Sequence, residues 1–250
     1  MSLVSAAFVL HSTDRRTWQR VTVATTEDLE KVVEAADHTL LTTTPKSLIV
    51  RLSVTDGAVS PVTTPRLMTA LWSNHLGRVY TVGVGLRIGI SDDDGRTFAY
   101  SQPFGNEATW YTVSGAGERV VIAGNDGRFA ISTTTTTTFK MVSSGTTNLL
   151  NTAFARTESD VIAVGGAIMA WNGTTASPVP MPPLKNNYLI GVHAAKTGPF
   201  MAVSASDVVT IDGATATVDD IKLPELRAVW VYPDGATLVV GGSGTIAIKE

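Results

Sequence analysis

A short β-branched strand that ends in a small residue recurs along the sequence at nearly constant spacing. Five copies (VYTVG, VVIAG, VIAVG, FMAVS and TLVVG) end at residues 83, 124, 165, 204 and 241, and a weaker copy, HTLLT, ends at residue 42. Successive copies are 41, 41, 41, 39 and 37 residues apart. A period of about 20–50 residues is the signature of architectures in which each unit packs on the next. The chain is therefore predicted to hold six units of about forty residues.

Each unit is predicted to hold four strands. A strand precedes the recurring segment at residues 67–73, 108–113, 149–155, 188–194 and 226–232, and another follows it at 48–54, 86–91, 128–132, 168–171, 208–211 and 245–248. Asx-Gly dipeptides at 56–57, 94–95, 172–173 and 212–213 mark hairpin turns out of several of these strands. Residues 27–36 have helical composition, but their place in the repeat predicts a first strand, with room for one helical turn.

Four antiparallel strands in forty residues form one blade of a β-propeller. The predicted fold is all-β, a single β-propeller domain over residues 1–250 with about six four-stranded blades, seven being the alternative. The last unit ends after its third strand, so we expect an N-terminal strand to pair with it and close the ring. Residues 6–12 and 17–23 are both candidates, which leaves open a five-stranded closing blade or a partial seventh one.

Composition favours a well-buried globular protein and excludes several functions. The chain is 44% hydrophobic and 16% charged, and 19 basic against 22 acidic residues give no positive patch for nucleic acid. It has no cysteine. The apolar segment 3–10 is short and follows no Lys or Arg, which indicates a strand rather than a signal peptide. We expect a soluble protein without a membrane span, located in the cytoplasm or in a virion.

One hairpin carries a recognisable motif. Residues Ser91 to Phe98 read S-D-D-D-G-R-T-F and fit the pattern S-x-D-x-G-x-T-[W/F]. This pattern resembles the Asp box, or BNR repeat, of sialidases and of many non-enzymatic propellers. Degraded copies occupy residues 132–139 and 12–18. We expect a structural turn in which Asp93 accepts backbone N–H groups, Gly95 has positive φ, Thr97 bonds back through its hydroxyl and Phe98 is buried.

The resemblance implies the sialidase fold without its chemistry. Sialidases use an arginine cluster, a Tyr–Glu pair and an acidic Asp, and no segment here matches those motifs. The four histidines lack zinc-ligand spacing, and neither a nucleophile elbow nor a phosphate-binding loop is present. We predict a protein that is not an enzyme and needs no cofactor or metal. A glycan-cleaving, sialidase-like hydrolase is the alternative.

Large side chains recur eleven residues before each closing position, on the predicted innermost strands. That register holds Lys31, Trp72, Val113, Phe154, His193 and Trp230. Packing between blades is one interpretation, which the size of these side chains favours. The other is a rim of binding residues, Trp72, Phe154, His193 and Trp230, around a channel mouth. The predicted function is a non-catalytic module that binds a protein partner or a surface glycan. A subunit of a larger assembly, such as a phage virion or tail, suits the Thr-rich, Lys-poor composition.

Overall fold

The structure is a computed structural model that describes residues 8–12, 14, 16–133 and 135–249. The chain clusters into two compact units, Met1–Thr109 and Trp110–Glu250. Strands dominate both units, and the helical residues of the described ranges lie in two three-residue 3₁₀ turns. A single domain over residues 1–250 stays a prediction.

In its described residues the first unit has ten strands in three sheets. β1 and β2 form a two-stranded sheet, and β3–β6 and β7–β10 form four-stranded antiparallel sheets in which chain neighbours pair. The strands are β1 (Phe8–His11), β2 (Gln19–Thr22), β3 (Val32–Glu34), β4 (Leu40–Thr43), β5 (Leu48–Leu52), β6 (Val59–Thr63), β7 (Met68–Ser73), β8 (Val79–Gly83), β9 (Arg87–Ser91) and β10 (Ala99–Ser101).

The described part of the second unit has fifteen strands in four sheets. β11–β14, β15–β18 and β19–β22 are four-stranded, and β23–β25 form a three-stranded sheet. The strands are β11 (Trp110–Ala116), β12 (Arg119–Gly124), β13 (Phe129–Thr133), β14 (Lys140–Val142), β15 (Leu150–Thr157), β16 (Asp160–Gly165), β17 (Ile168–Trp171), β18 (Ala176–Val179), β19 (Gly191–Ala194), β20 (Phe200–Val203), β21 (Asp207–Asp212), β22 (Thr215–Lys222), β23 (Leu226–Val231), β24 (Thr237–Gly241) and β25 (Ile246–Lys249).

The predicted repeat is confirmed. Closing residues 83, 124, 165 and 241 end the second strand of their sheets, and the four Asx-Gly dipeptides all lie at the junctions of third and fourth strands. Segment 27–36 supplies β3 as a first strand, and its helical turn is not formed. The closing residue is small for a steric reason. A Cβ added at Gly83 would lie 2.1 Å from the Leu67 carbonyl oxygen, and one at Gly165 would lie 2.2 Å from that of Leu149.

In the second unit, sheets pack face to face, so a second strand that lies between two sheets is buried on both sides. Residues 161–165 of β16 are all buried, which explains why the recurring segment is continuously apolar rather than alternating. In the second unit one apolar cluster joins β11–β14 to β15–β18, a second joins β15–β18 to β19–β22, and a third joins β19–β22 to β23–β25. Each of these sheets therefore uses one face to cover its predecessor.

The Ser91–Phe98 loop has the predicted turn geometry. The Asp93 carboxylate accepts hydrogen bonds from the Thr97 N–H at 2.9 Å and the Thr97 hydroxyl at 2.6 Å, and Gly95 has φ +75°. Partial burial raises the pKa of Asp93, but hydrogen bonds led by the Thr97 hydroxyl outweigh it and lower the pKa to about 2. Phe98 is half-buried and stacks on Tyr100, with ring centroids 6.0 Å apart. The loop is a structural turn in which the polar groups satisfy one another.

Replacing Asp93 with alanine is expected to lower the free energy of unfolding by about 1–2 kcal/mol, because the Thr97 N–H and hydroxyl lose a charged acceptor. Urea unfolding measures the loss. Asp92→Ala is the matched control, since the Asp92 side chain is 68% exposed and its surface pair with Arg78 is worth well under about 1 kcal/mol. Equal losses in the two variants would contradict a special role for Asp93.

The predicted pairing of an N-terminal strand with the last sheet stays a prediction. Both candidate segments form strands, but these pair with each other, from Phe8 opposite Thr22 to His11 opposite Gln19; residues 6 and 7 of the first candidate lie outside the described residues. The reason is the loop between β1 and β2, where the Asp14 carboxylate accepts hydrogen bonds from the Thr17 N–H at 2.7 Å and hydroxyl at 2.5 Å. This turn, similar to that at Asp93, folds β1 back onto β2.

Candidate functional site

The four predicted binding residues occupy equivalent positions on the first strands of four sheets. Each is paired with a residue of the second strand, and that partner lies three residues before the closing residue. The pairs are Trp72 with Tyr80, Phe154 with Ile162, His193 with Met201 and Trp230 with Leu238. On β11 this position belongs to Ser114, opposite Val121, rather than to Val113. The hairpin from Ser114 to Val121 is one residue shorter than the hairpin from Phe154 to Ile162. A fixed count of eleven residues back from the closing residue therefore selects Val113 instead of Ser114. Lys31 lies just before β3.

Three of these side chains contact one another in a column in the second unit. The ring centroids of Phe154 and His193 are 4.1 Å apart, and those of His193 and Trp230 are 3.9 Å apart with an interplanar angle of 30°. Along the column Phe154 is half-buried, His193 is 8% exposed and Trp230 is 52% exposed. Trp72 belongs to the first unit, where it packs on Tyr80 with centroids 5.8 Å apart. Trp230 is therefore the most exposed of the four side chains.

His193 links two sheets as a neutral hydrogen-bond acceptor. Its Nδ1 accepts the backbone N–H of Val231 on the next first strand at 3.0 Å, which requires an unprotonated Nδ1. Burial lowers the pKa of His193 to about 4, so the ring is neutral near pH 7. Ser114 plays the same part at the equivalent position, where its Oγ accepts the Ala155 N–H at 2.9 Å. In both cases the side chain accepts a backbone N–H of the next first strand that is not used in the hydrogen-bond ladder of its own sheet.

The C-terminal sheet carries Trp230 on an open apolar face. Cross-strand pairing places Trp230, Leu238 and Ile248 in one row of this face and Ala228, Val240 and Ile246 in the next. Ala228 is exposed, as are Ile246 by 41% and Ile248 by 40%. Leu238 and Val240 are half-exposed. The opposite face, with Val229, Val231 and Val239, packs on the preceding sheet. We call the residues Ala228, Trp230, Leu238, Val240, Ile246 and Ile248 the open face.

Equivalent residues of the other second-unit sheets show how unusual this exposure is. Val164 and Ile168 hold the positions of Val240 and Ile246 on the sheet β15–β18, and they are 0% and 1% exposed because the next sheet covers them. Sequence reasoning picked Trp230 but missed the rest of the open face. The signal was present in the apolar alternation of β25, with Ile246 and Ile248 two residues apart.

Comparisons with known structures identify the architecture. No family model matches the sequence, and no curated protein matches it. The WD40 β-propeller domain of Doa1 superposes with a TM-score of 0.79 at 12% identity, over 98% of this chain and 86% of that one. The RRP9 WD40 repeats give 0.76 at 13% identity, over 95% and 84%. YCF48 bound to D1 peptide gives 0.59 at 15% identity over 73% of this chain, which spans 64% of the YCF48 chain.

The fold is a β-propeller. The predicted fold class is thereby confirmed, with five complete four-stranded blades, a three-stranded C-terminal blade and the two-stranded β1–β2 sheet among the described residues. Because these structures share only 12–15% identity with the chain, the comparisons show its fold alone. Its activity has to be argued from its own side chains.

Metal ligands, membrane-spanning helices and clefts give three separate results among the described residues. No group of three or more His, Asp or Glu residues that could hold a metal occurs among them, and no helix in the described ranges is long and apolar enough to cross a membrane. A cleft of about 310 Å³ between blades β15–β18 and β19–β22 is lined by Arg156, Asp160 and Phe200. Arg156 and Asp160 bind each other there: the Arg156 Nε donates to Asp160 at 2.7 Å, and the guanidinium lies 4.5 Å above the Phe200 ring. The open face is the stronger candidate site.

Proposed function

We propose that this propeller is a non-catalytic binding module that engages a protein partner through the open face, with Trp230 as its anchor. The observation that carries the proposal is the 52% exposure of an indole on an apolar sheet face, beside Leu238 and Ile248. Tryptophan is enriched among the residues that dominate binding energy, and interface cores are apolar and poor in charge.

The column behind Trp230 supports this role. His193 stacks on the indole at 3.9 Å and is itself fixed by Phe154 and by the Val231 N–H. An anchor held in one orientation before binding loses little conformational entropy when the partner arrives. In this proposal Trp230 makes the contact and Phe154 and His193 position it, whereas Trp72 packs within its own blade. The peptide-bound state of YCF48 is a precedent for a propeller that binds a protein segment.

Trp230→Ala is expected to weaken partner binding by about 2 kcal/mol or more, roughly 30-fold, because a large aromatic anchor is lost. Affinity capture from the native source with the wild-type propeller identifies partners, and titration of a purified partner against both proteins measures the loss. Met141→Ala is the control, since Met141 is an apolar side chain of β14 that is 38% exposed. Undiminished affinity of Trp230→Ala would overturn the proposal.

Two alternatives give different outcomes in the same experiments. Binding to immobilised glycans that Trp230→Ala abolishes would move the partner class to a surface glycan. Release of sugar from sialylated glycans by the purified chain would replace binding with hydrolysis. The assembly form of the proposal, a subunit of a phage virion or tail, predicts that the captured partners are other structural proteins of one particle.

A further inference from the structure

The cleft between the blades β15–β18 and β19–β22 has an apolar floor and an acidic rim, and every residue that lines it belongs to the second unit. Its floor is formed by buried aliphatic side chains, Ile162, Val179 and Ile211. The ionisable side chains of the described lining are Arg156, Asp160 and Asp212, so two carboxylates accompany one guanidinium. We propose that this cleft binds a basic side chain, lysine or arginine, of a protein segment. It shares no residue with the open face, so this inference goes beyond the function proposed for Trp230.

Asp212 supplies a carboxylate that accepts no hydrogen bond from the described residues. It is exposed at the end of β21, where its turn is closed through the backbone: the Thr215 hydroxyl donates to the Asp212 carbonyl at 2.9 Å. The side chains of the other three Asx-Gly turns are engaged, with Asp56 accepting the Ala58 N–H, Asp94 the Ala36 N–H and Asn172 the Thr175 N–H, at 3.0, 3.0 and 2.9 Å. A role in its own turn therefore does not account for the Asp212 carboxylate, which is available to a ligand.

Arg156 is a fixed wall of the cleft rather than a free cation. Its Nε and a terminal nitrogen contact the Asp160 Oδ2 at 2.7 and 2.5 Å, and the other terminal nitrogen donates to the Gly198 carbonyl. The guanidinium also covers the Phe200 ring, and the Arg156 side chain is 17% exposed. Both contacts with Asp160 use one carboxylate oxygen, so its Oδ1 can accept a further donor. Once Arg156 balances Asp160, the charge of Asp212 leaves the rim net negative, which favours a cationic ligand.

An apolar floor below an acidic rim matches the two parts of a basic side chain. Lysine and arginine lay their methylene stems along apolar surface and keep the charged head in polar surroundings. The volume of about 310 Å³ is at the low end for small-molecule sites, which suits one side chain rather than a cofactor. A sugar fits less well, because the aromatic residues of the described lining, Trp171 and Phe200, are 3% and 4% exposed and offer no ring face for stacking.

The test is an NMR titration of the purified full chain with Nα-acetyl-lysine methylamide, a probe that carries a single side chain. The amide signals of Gly198 and Gly213, which border the cleft from two different hairpins, should shift. The norleucine analogue has a similar stem without the ammonium group and should bind roughly fivefold more weakly, because it loses the ion pair. A capped pentapeptide with one lysine among alanines should shift the same amides. If only the single-residue probe does so, the cleft takes small amines and the proposed protein segment is wrong.

Asp212→Asn removes the charge with almost no change of shape and should weaken binding of the lysine probe roughly fivefold. An unchanged thermal melt verifies that the fold is intact. Asp220→Asn is the matched control, because Asp220 is an exposed carboxylate of the same blade, on β22 and outside the cleft. It changes the net charge equally and should bind the probe like the wild type.

Three results overturn the proposal: no shift at Gly198 and Gly213, equal binding of the lysine and norleucine probes, or equal weakening by Asp212→Asn and Asp220→Asn. None of them touches the proposed function, which fails only if Trp230→Ala keeps full affinity for a captured protein.

Discussion

Gly83→Ala is expected to lower the free energy of unfolding by about 4 kcal/mol or more, at the severe end for a single methyl group. The new Cβ would lie 2.1 Å from the Leu67 carbonyl oxygen and 2.8 Å from the Met68 Cα. Both are backbone atoms, so no side-chain rotation can relieve the clash. The strand β8 must separate from the start of β7, which breaks the ladder at the end of a fully buried strand. Urea unfolding followed by circular dichroism measures the loss.

Gly213→Ala is the control for this prediction. Gly213 has φ +56° in the turn between β21 and β22, and no atom lies within 4 Å of an added Cβ. Alanine there meets only the backbone cost of positive φ, about 1–2 kcal/mol. If Gly83→Ala costs no more than Gly213→Ala, the steric explanation for the small closing residue is wrong.

The closing residue also explains why the fold could be predicted from sequence. Its small size follows from a backbone contact that recurs in several blades, with Gly83 against Leu67 and Gly165 against Leu149. A constraint repeated at the same point of each unit leaves a periodic trace in the sequence. The hairpin turns do the same, since Asx-Gly is needed wherever a third strand turns tightly into a fourth.

Features set by the alignment of neighbouring strands left no such trace. The short hairpin of β11 and β12 moves Ser114 to the position expected for Val113, and only pairing with Val121 reveals it. The pairing of β1 with β2 is supported by a turn in which Asp14 accepts hydrogen bonds from Thr17. Local sequence predicts that a strand forms, whereas the choice between two available edges depends on tertiary structure.

The candidate site was partly predictable for the same reason. Counting residues found the column of Phe154, His193 and Trp230, because these three blades share one hairpin length. Counting could not separate packing from binding, since that depends on whether a sheet covers the face. His193 and Trp230 are adjacent members of one column, yet one is 8% and the other 52% exposed.

Acidification should destabilise the protein between pH 6.5 and about 4 through His193. The folded pKa of about 4 lies below the ordinary value of 6.5, so in this window the unfolded state binds a proton that the folded state excludes. The contribution of neutral His193 is complete above pH 6.5 and is lost as the pH falls, to a total of about 3 kcal/mol near pH 4. Asp93, with a pKa of about 2, contributes its own loss only at lower pH.

His193→Asn isolates this effect, because the asparagine Oδ1 can accept the Val231 N–H as Nδ1 does at 3.0 Å but cannot be protonated in this range. Urea midpoints measured from pH 7 to pH 4 should fall more steeply for the wild type than for His193→Asn. His193→Phe keeps a ring between Phe154 and Trp230 but leaves that N–H without its acceptor, so it should be less stable than His193→Asn at every pH. Parallel pH profiles for the wild type and His193→Asn would show that His193 is protonated equally in both states, and the neutral acceptor assigned to the column would be wrong.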